Sequence, residues 1–481
     1  MPPLGSHRPT GRVLLLALLL CYSVYYLYST PPWTPKSPVA KTKTPATVTL
    51  TQTETETQTE THTHTVHTPA ATVTVLAEPV APPLLNGPPT KAFADNLRAE
   101  VQYITSWTGA GFTNDVIAFM NLIYLARDAD RVPILPYFTP THIGRGAPDG
   151  GPTIDFGEVF DVPRLAKAMG RPVLEWWEVK DRTSTTFDPL GCWNLWQAVS
   201  PDHHGPHESS APFRLKLDIA YTVAPKWVKL SPQSATDEHV HYPALVALGF
   251  PENRRGALTR PFPKSPMRGI ALPPDEHLLC FDYMYWAASK QGHEVERDFS
   301  PAWRFVGTHL HWTPKIEALA AEYLRVAFGL APASLVPPYI AIHARRGDFD
   351  RACGAVPRDD CLAPLSAFAR RVAEVRAELK TKRKIDVVRV VMTSDEADGA
   401  WWGAVRALGW AVPDHAGTAA KHGATGRWYP VLIDGAILSG AVGFVGTAES
   451  TLSIVGARRV EEWNGGAWRM VRWKTKGADD H

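Results

Sequence analysis

Short apolar runs alternate with a segment of helical periodicity between residues 101 and 135. The first apolar run is Val101 to Thr105, and the second is Val132 to Leu135. Between them, apolar residues recur at the spacing of one helix face, at Val116, Phe119, Met120 and Ile123. Thr113 or Asn114 can supply the N-cap of this helix. The order of strand, helix and strand predicts a parallel βαβ unit.

The same alternation returns in the last third of the chain. The pattern predicts helices at 315–328, 363–379 and 431–439, and strands at 338–344, 387–395 and 441–447. Because helices separate these strands, we expect a second parallel sheet. The intervening residues 145–300 are rich in Trp, Pro and His and show little periodicity. The fold class that follows is α/β.

The first ninety residues differ from the rest of the chain. Residues 13–30 contain no charged side chain and combine a Leu/Ala run with a group of tyrosines. This length and composition predict an uncleaved signal-anchor helix that spans a membrane, behind a cytoplasmic tail at residues 1–12. A cleaved signal peptide is the alternative, and it also places the remaining chain in the secretory pathway.

A stalk follows at residues 31–90. Threonine occupies every second position from Thr49 to Thr65, and the residues between are mostly Gln, Glu and His. Neither face of such a segment could be buried, so the pattern favours a solvated spacer over a strand.

Composition limits the function classes. The chain has 481 residues, of which 44% are hydrophobic, and this content excludes a wholly disordered protein. The formal net charge of +2 supplies no field for binding nucleic acid. A change in texture at residues 305–314 places a boundary between an N-terminal domain at 91–312 and a C-terminal domain at 313–481.

Four cysteines lie beyond the anchor segment, and four cysteines allow three pairings. In an oxidising lumen, closeness in sequence favours a bond between Cys353 and Cys361, which leaves Cys192 to pair with Cys280. No Cys-x-x-Cys or other zinc spacing is present in the sequence.

Polar residues cluster where the predicted strands end. His343 and Arg345 close one strand, Asp395 closes a second, and Thr447 closes a third. Ligands of open parallel sheets bind at this carboxyl edge. The loop from Gly109 to Gly111 precedes the first helix and could present N–H groups to an anion, or could simply be a tight connection.

These features also have ordinary structural explanations. Arg345 and Arg346 could form surface ion pairs with Asp348 and Asp350. The Ser/Thr residues after Thr447 could only cap a helix, and Asp395 could be a strand-end cap. Asp128-Ala129-Asp130 has the form of the Asp-x-Asp sequence of metal-dependent transferases, but it falls at a predicted helix end.

Three motifs resemble the GDP-fucose protein O-fucosyltransferases, a group related to the α1,2- and α1,6-fucosyltransferases. Residues 343–349 are similar to the family's His-x-Arg motif. Residues 444–453 are similar to its Phe-Val-Gly-Thr-x-x-Ser-Thr-Phe-Ser motif, with Leu452 where Phe is usual. Residues 109–114 are similar to its N-terminal Gly-Phe loop, with Thr113 in place of an Asn. The motifs occur in order and span nearly the whole folded region.

The resemblance implies a GT-B arrangement, in which two Rossmann-like domains face a cleft and the C-terminal domain holds GDP-fucose. It implies inverting transfer of fucose to an acceptor hydroxyl on a protein Ser/Thr or a glycan, with no metal and no other cofactor. Together with the signal-anchor, it implies a single-pass type II protein of the Golgi or endoplasmic reticulum membrane with a lumenal catalytic region.

The chemistry of the residues agrees with this resemblance. The departing diphosphate needs a cation, and Arg345 can bind it bidentately, so Arg345 is the predicted catalytic residue. Asp395 would accept from guanine, as the family's acidic residue in this strand does, and Asp348 would orient the arginines. The other predicted substrate-binding residues are Gly109, Gly111, Phe112, Asn114, His343, Thr447, Ser450, Thr451 and Ser453.

The general base is not identified by the sequence. Some family members carry Glu immediately before the Gly-Phe pair, and this chain has Ala110 there. Asn114 and Asp115 are possible substitutes; otherwise the base comes from elsewhere or the enzyme works without one. The rival hypotheses are a catalytically silent nucleotide-sugar or glycan-binding protein and a metal-dependent transferase that uses Asp128 and Asp130.

Overall fold

The computed structural model describes residues 83–143, 151–199, 202–258, 261–297 and 299–480. The predicted signal-anchor and almost all of the predicted stalk lie outside these residues. In the part of the chain that is described, no helix combines the length and the apolar character needed to cross a membrane. Residues 84 and 85, assigned above to the stalk, pack against buried apolar residues of the first half of the described chain. The Tyr103 hydroxyl donates to the Leu84 carbonyl (2.7 Å).

A six-stranded sheet occupies the first half of the described chain, in the order β3-β2-β1-β7-β4-β5. Its strands are β1 (Tyr103–Ser106), β2 (Val132–Leu135), β3 (Leu174–Glu175), β4 (Asp188–Asn194), β5 (Leu217–Val223) and β7 (Leu278–Phe281). All neighbouring pairs are parallel. The short strands β6 (Val240–His241) and β8 (Ala287–Ala288) pair separately.

A four-stranded parallel sheet occupies the second half, in the order β10-β9-β11-β12. Its strands are β9 (Tyr339–Ala344), β10 (Arg389–Ser394), β11 (Gly443–Thr447) and β12 (Ala467–Val471). The expectation of an α/β protein with parallel sheets is therefore confirmed.

Helices connect and cover the strands. In the first half they are α1 (Phe112–Asp128), α2 (Phe156–Val159), α3 (Val162–Met169), α4 (Trp176–Val179), α5 (Trp196–Val199), α6 (Ala211–Arg214), α7 (Tyr242–Ala247), α8 (Pro251–Arg254) and α9 (Pro301–Phe305). In the second half they are α10 (Pro314–Ala327), α11 (Arg358–Cys361), α12 (Leu365–Glu378), α13 (Gly399–Ala407), α14 (Thr418–Lys421), α15 (Tyr429–Ser439) and α16 (Thr451–Asn464).

The start of α1 differs from the prediction. The helix begins at Phe112, and its N-cap is Gly111 in an extended conformation (φ −66°, ψ 151°), so neither Thr113 nor Asn114 is the cap. Both residues instead lie in the first turn. The reason is local, because the Asp115 carboxylate accepts from the N–H groups of Gly109 and Ala110 and so fixes an earlier start.

Three apolar cores cover the faces of the two sheets. One core covers the outer face of the six-stranded sheet, and a second covers the outer face of the four-stranded sheet. The largest core fills the remaining faces of both sheets and continues between them through Trp312 and Trp428. Strands buried on both faces are marked by continuous apolar runs, and polar residues, proline or glycine interrupt such runs in β4 and β5, so residues 145–300 gave little sign of these strands.

A buried arginine lies among the aromatic rings of this core. Arg459 of α16 is 3% exposed, and its guanidinium lies over the rings of Trp312 (4.6 Å) and Trp463 (5.0 Å). Burial lowers the pKa of Arg459 to about 9. The aromatic rings stabilise this cation and so fix α16, whose first turn belongs to the site described next.

Both predicted disulfides are present. Cys192 of β4 is bonded to Cys280 of β7, and Cys353 is bonded to Cys361. The first bond lies inside the six-stranded sheet. The second closes the segment that follows β9, which carries Asp348 and Phe349 to the site.

Candidate functional site

A cleft of about 510 Å³ opens at the carboxyl ends of β9 and β10, where the first turns of α1 and α16 also meet. This volume falls within the range of small-molecule sites. The lining residues are Gly111, Phe112, Thr113, Asn114, His142, Ile143, Tyr285, His343, Arg345, Asp348, Phe349, Ser394, Asp395, Pro430, Val431, Asp434, Glu449, Ser450, Thr451 and Leu452. All three sequence motifs therefore contribute to one cavity.

Arg345 is the cation of the cleft. Its backbone N–H donates to the Thr447 hydroxyl (2.9 Å), which fixes the residue at the end of β9. Its guanidinium pairs with Asp348 (2.7 Å) and with Asp395 (2.8 Å), and 31% of its side chain stays exposed. Asp348 is thus placed to orient Arg345, and the guanidinium remains accessible from the cleft.

Arg346 has a different role from its neighbour. Its side chain is 8% exposed and pairs with Glu396 (2.8 Å), which also pairs with Arg358 (2.6 Å). Burial by itself would raise the pKa of Glu396, but the hydrogen bonds from the two arginines outweigh it and hold that pKa at about 2. Asp348 therefore orients one arginine and not a pair, because Arg346 points into the protein.

Asp395 lies under the loop that carries both arginines. One of its oxygens accepts from the Arg346 backbone N–H (2.8 Å), and the other pairs with Arg345 (2.8 Å). A Cβ on Gly347 would lie only 2.7 Å from that second oxygen, so the close approach requires glycine. The carboxylate predicted to accept from guanine is thus engaged in placing Arg345.

His343, Ser453 and Thr447 form a buried network behind the cleft. The Nδ1 atom of His343 is 2.8 Å from the Ser453 hydroxyl oxygen, which accepts from the Thr447 N–H (3.0 Å). Burial lowers the pKa of His343 to about 4, so its imidazole is neutral at physiological pH. The hydroxyls of Thr447 and Ser453, predicted to bind the substrate, instead hold the ends of β9 and β11 together.

The first turns of α1 and α16 meet across the cleft. The Thr451 hydroxyl donates to the Asn114 side-chain carbonyl (2.8 Å). Ser450 is the N-cap of α16 in an extended conformation, and Gly111 holds the same position for α1. Each helix has more than three turns, so two positive helix ends border one cavity.

The turn into α16 contains a backbone conformation unusual for its residue. Glu449 has φ 67°, in the left-handed region that favours glycine. Its side chain is exposed and pairs with Lys474 (2.6 Å). This conformation turns the chain sharply between Thr447 and Ser450 and places the start of α16 at the cleft.

The Gly109 loop is placed differently from the prediction. The N–H groups of Gly109 and Ala110 both donate to one oxygen of Asp115 (3.1 Å each), so they are not directed at a ligand in the cleft. Gly109 lines a separate groove of about 1040 Å³, whereas Gly111 lines the cleft. A Cβ on Gly109 would lie 2.2 Å from the Glu208 carbonyl oxygen, so this contact requires glycine.

Several cleft residues escaped sequence reasoning. Asp434 of α15 pairs with His415 (2.7 Å). Burial by itself would lower the pKa of His415, but Asp434 and Asp414 together outweigh burial, so this pKa is raised. Phe349 stacks on Trp473 from the end of the chain (4.5 Å between ring centres). Asp434 lies inside an apolar helix, where a lone acid was a usable signal; the stacking of Phe349 left no sequence signal.

The residues weighed as metal ligands lie elsewhere. Asp128 and Asp130 are at the C-terminal end of α1, about 24 Å along the helix from the cleft at 1.5 Å per residue. Asp130 pairs with Arg171 (3.0 Å). Among the described residues, no group of three or more His, Cys, Asp or Glu side chains could hold a metal ion.

No family model and no curated protein matches the sequence. Solved structures similar to this chain include POFUT1 in complex with GDP-fucose, at 17% identity, a TM-score of 0.44, and coverage of 77% of this chain and 98% of that one. The apo form of POFUT1 matches at 17% identity and a TM-score of 0.46, over 78% of this chain and 99% of that one.

The fucosyltransferase NodZ from Bradyrhizobium is also similar, at 14% identity and a TM-score of 0.37, with coverage of 75% of this chain and 93% of that one. At these identities, and with TM-scores below 0.5, the likenesses do not determine what this chain binds. The assignment of a ligand rests on the cleft itself.

Proposed function

We propose that this chain is an inverting, GDP-fucose-dependent fucosyltransferase of the O-fucosyltransferase type, with its two sheets in a GT-B arrangement around the cleft. The observation that carries the proposal is the position of Arg345. It lies at the carboxyl end of β9, in a cavity bordered by the first turns of α1 and α16. A cation beside two positive helix ends suits a diphosphate group.

Arg345 retains donors for such a ligand. A guanidinium carries five N–H donors. The ion pair of its Nη2 atom with Asp348 and that of its Nη1 atom with Asp395 fix the plane of the guanidinium. The remaining donors can bind phosphate oxygens while the two carboxylates keep the group oriented. Charge on the departing GDP would be stabilised by this cation, so the mechanism needs no metal ion.

The start of α16 would bind the same diphosphate. Ser450 and Thr451 both line the cleft, and the Thr451 backbone N–H belongs to the first turn of α16, whose N–H groups have no acceptor within the helix. Thr447 and Ser453 act indirectly in this scheme, because their hydroxyls hold Arg345 and His343 in place.

Guanine requires a carboxylate that accepts from its N–H groups. Asp395 is already shared between the Arg346 N–H and the Arg345 guanidinium. Asp434 also lines the cleft, and His415 holds one of its oxygens (2.7 Å). We therefore assign guanine recognition to Asp434 first and to Asp395 second.

The reaction is a single displacement at the anomeric carbon of fucose. The bond from that carbon to the β-phosphate oxygen breaks as the bond to the acceptor oxygen forms, and the configuration inverts. GDP leaves with the bonding electrons, and the acceptor hydroxyl releases its proton to a base or to solvent. Arg345 lowers the barrier because its interaction strengthens as negative charge develops on the leaving group.

The missing base supports the second candidate, a silent nucleotide-sugar binder. The described residues that the first half of the chain contributes to the cleft include no carboxylate, and Asp115 is fully buried behind the loop. Among the described residues of this wall, His142 has the imidazole that could accept a proton. Activity therefore depends on His142 or on transfer without a protein base.

The groove beside the cleft is the candidate acceptor site. It meets the cleft at the loop from Gly109 to Gly111, and its walls include the exposed side chains of Phe213 and Met267. A protein segment bearing Ser or Thr and a glycan are both compatible with its size. The two disulfides support an oxidising lumenal compartment, in line with the predicted Golgi or endoplasmic reticulum location.

The test is calorimetric titration of the full chain in detergent with GDP, GDP-fucose and UDP, in the presence of EDTA, together with an assay of fucose release. We expect GDP and GDP-fucose to bind, UDP to bind far more weakly, and fucose to be released slowly. The Asp434→Asn variant should lose the preference for GDP over UDP.

The outcomes separate the candidates. GDP binding without any release or transfer of fucose would favour the silent binder. Binding of GDP only when a divalent metal is supplied would overturn the metal-independent mechanism. Equal binding of GDP and UDP would remove the assignment of a guanine nucleotide.

A further inference from the structure

Asp115 is the most buried carboxylate near the cleft, and the reaction proposed above does not use it. It lies in the first turn of α1 and is 0% exposed. Its Oδ1 atom accepts from the N–H groups of Gly109 and Ala110 (3.1 Å each). One oxygen thus fixes two consecutive peptide groups of the loop that separates the cleft from the groove.

The second oxygen of Asp115 faces another buried polar group. Within the described residues, neither Oδ2 of Asp115 nor the hydroxyl of Tyr283 has a hydrogen bond of standard geometry, and both are buried. The Tyr283 hydroxyl is close enough to lower the pKa of Asp115, although burial, the larger effect, raises that pKa to about 7. The two groups are therefore neighbours in the protein interior.

Tyr283 in turn connects to the wall of the groove. Its ring stacks on His207, with 4.0 Å between ring centres. The His207 backbone N–H donates to Asp282 (3.0 Å), which also accepts from the N–H groups of Leu195 (2.8 Å) and Trp196 (3.2 Å). His207 itself lines the groove. The loop is therefore clamped between α1 and the residues that follow β7.

We propose that Asp115 is a positioning residue that holds the loop from Gly109 to Gly111, and so sets the acceptor groove against the donor cleft. This inference rests on the proposed function for its effect on turnover. Its structural part, the clamping of the loop by Asp115 and Tyr283, does not.

The clamp should not depend on the charge of Asp115. As a carboxylate, Asp115 can accept from the neighbouring Tyr283 hydroxyl through Oδ2. As a neutral acid, it keeps a carbonyl oxygen for the two loop N–H groups and donates its own proton to the Tyr283 oxygen. The groups that face it, Tyr283 and the two peptide N–H groups, suit either state. An asparagine would reproduce the neutral form, whereas an alanine would leave both N–H groups without an acceptor.

The experiment compares Asp115→Asn, Asp115→Ala and Tyr283→Phe in the full chain, with Asp130→Asn at the far end of α1 as control. Hydrogen exchange of residues 109–111 reports on the clamp without any need for activity. GDP affinity, and kcat and KM for donor and acceptor from pH 5 to 8, report on its consequence.

We expect Asp115→Asn to keep the exchange rates and to stay within about threefold of the native kcat/KM at every pH. Asp115→Ala should raise exchange at least tenfold and lower kcat/KM about 100-fold, as a 1 Å misplacement of a substrate-positioning element does. We expect this loss to include a higher KM for the acceptor. Tyr283→Phe should raise exchange by a smaller factor.

Two results would overturn the inference. The first is unchanged exchange in Asp115→Ala. The second is loss of turnover in Asp115→Asn with exchange intact, which would make the carboxylate a participant in the chemistry. If Asp115→Ala does not fold, Asp115→Asn and Tyr283→Phe decide, and equal exchange in the native protein and Tyr283→Phe would count against the clamp. If the native chain binds no GDP, the proposed function fails while the exchange data still test the loop.

Discussion

The two sheets end in different ways at the edges where parallel sheets bind their ligands. At the edge of the four-stranded sheet, Arg345 pairs with two carboxylates and keeps 31% of its side chain exposed. At the edge of the six-stranded sheet, Asp115 and Asp282 are 0% exposed and accept mainly from backbone N–H groups. The first edge presents charge to a ligand, and the second uses charge to hold its own loops.

This difference shows that position at a carboxyl edge does not by itself identify a ligand-binding residue. Burial raises the pKa of Asp115 to about 7 and that of Asp282 to about 6, which marks them as groups that the fold keeps away from water. Arg345 is a binding candidate because its neighbours orient it without covering it. Substitutions at four positions, Arg345, Arg346, Gly109 and Glu449, test this contrast, from the largest expected effect to the smallest.

Replacing Arg345 tests whether the exposed edge carries the chemistry. Arg345→Ala should lower turnover about 10⁴-fold, the size of effect found when an arginine that stabilises a transferring phosphate is removed. GDP affinity, measured by calorimetry, should fall as well. Arg351→Ala is the matched control, because Arg351 is exposed on the same segment outside the cleft lining. Comparable turnover in Arg345→Ala and the control would contradict the assignment.

Replacing Arg346, the neighbour of Arg345, tests whether the role of Arg346 is purely structural. Arg346→Ala leaves Glu396 buried with less compensation, so the free energy of unfolding should fall by about 3–5 kcal/mol. Arg358→Ala removes a partner of the same carboxylate that is 40% exposed, and should cost less than about 1 kcal/mol. Denaturant unfolding measures both values. Equal losses would show that burial does not distinguish the two arginines.

The same pair gives a pH dependence. The pKa of Glu396 is about 2 in the folded chain, below its ordinary value of 4.5. Its contribution to stability is therefore complete above about pH 4.5 and is lost as the pH falls through about 2. In Arg346→Ala, the free energy of unfolding should therefore fall less steeply as the pH is lowered from about 4.5 to 2.

Replacing Gly109 tests the packed edge. The added Cβ would lie 2.2 Å from the Glu208 carbonyl oxygen, which is backbone and cannot turn away. Gly109→Ala should therefore lower the free energy of unfolding by about 2 kcal/mol. Gly205→Ala is the control, because a Cβ there meets no atom within 4 Å. A native melting temperature for Gly109→Ala would mean that the loop is looser than its contacts indicate.

The smallest effect is expected at Glu449, which lies on the exposed edge. Its φ of 67° is strained for any residue with a Cβ. Glu449→Gly should be more stable than Glu449→Ala by about 1 kcal/mol, since both lose the Lys474 ion pair and only glycine relieves the strain. Equal unfolding free energies in the two variants would contradict the strain.

Much of the fold could be predicted because local signals were strong. The apolar runs before His343, Asp395 and Thr447 gave strands β9, β10 and β11 nearly in place, and helical spacing gave α1 and α10. The strands β4 and β5 were missed because polar residues, proline or glycine interrupt their apolar runs. The strand β7 is a run of four apolar residues with no long helix beside it to mark an α/β repeat. The disulfides followed from the small number of possible pairings.

The site could be predicted in its members but not in their roles. Nine of the twelve candidate residues line the cleft, and the other three are Gly109, Thr447 and Ser453. The roles of Thr447 and Ser453 could not be predicted, because the sequence does not show whether a hydroxyl faces a ligand or a neighbouring strand. Ser453 contacts His343 and Thr447 contacts Arg345, and each pair is more than 100 residues apart in the chain.

The sequence by itself determined the order of strands and helices, the parallel sheets, and the presence of Arg345 at the end of a strand, because these depend on side-chain periodicity and local chemistry. Only the tertiary structure decided that Arg345 stays exposed while Arg346 is buried, and that Asp115 serves the loop. Exposure depends on which distant segments pack against a side chain, and adjacent residues with the same charge can meet opposite surroundings.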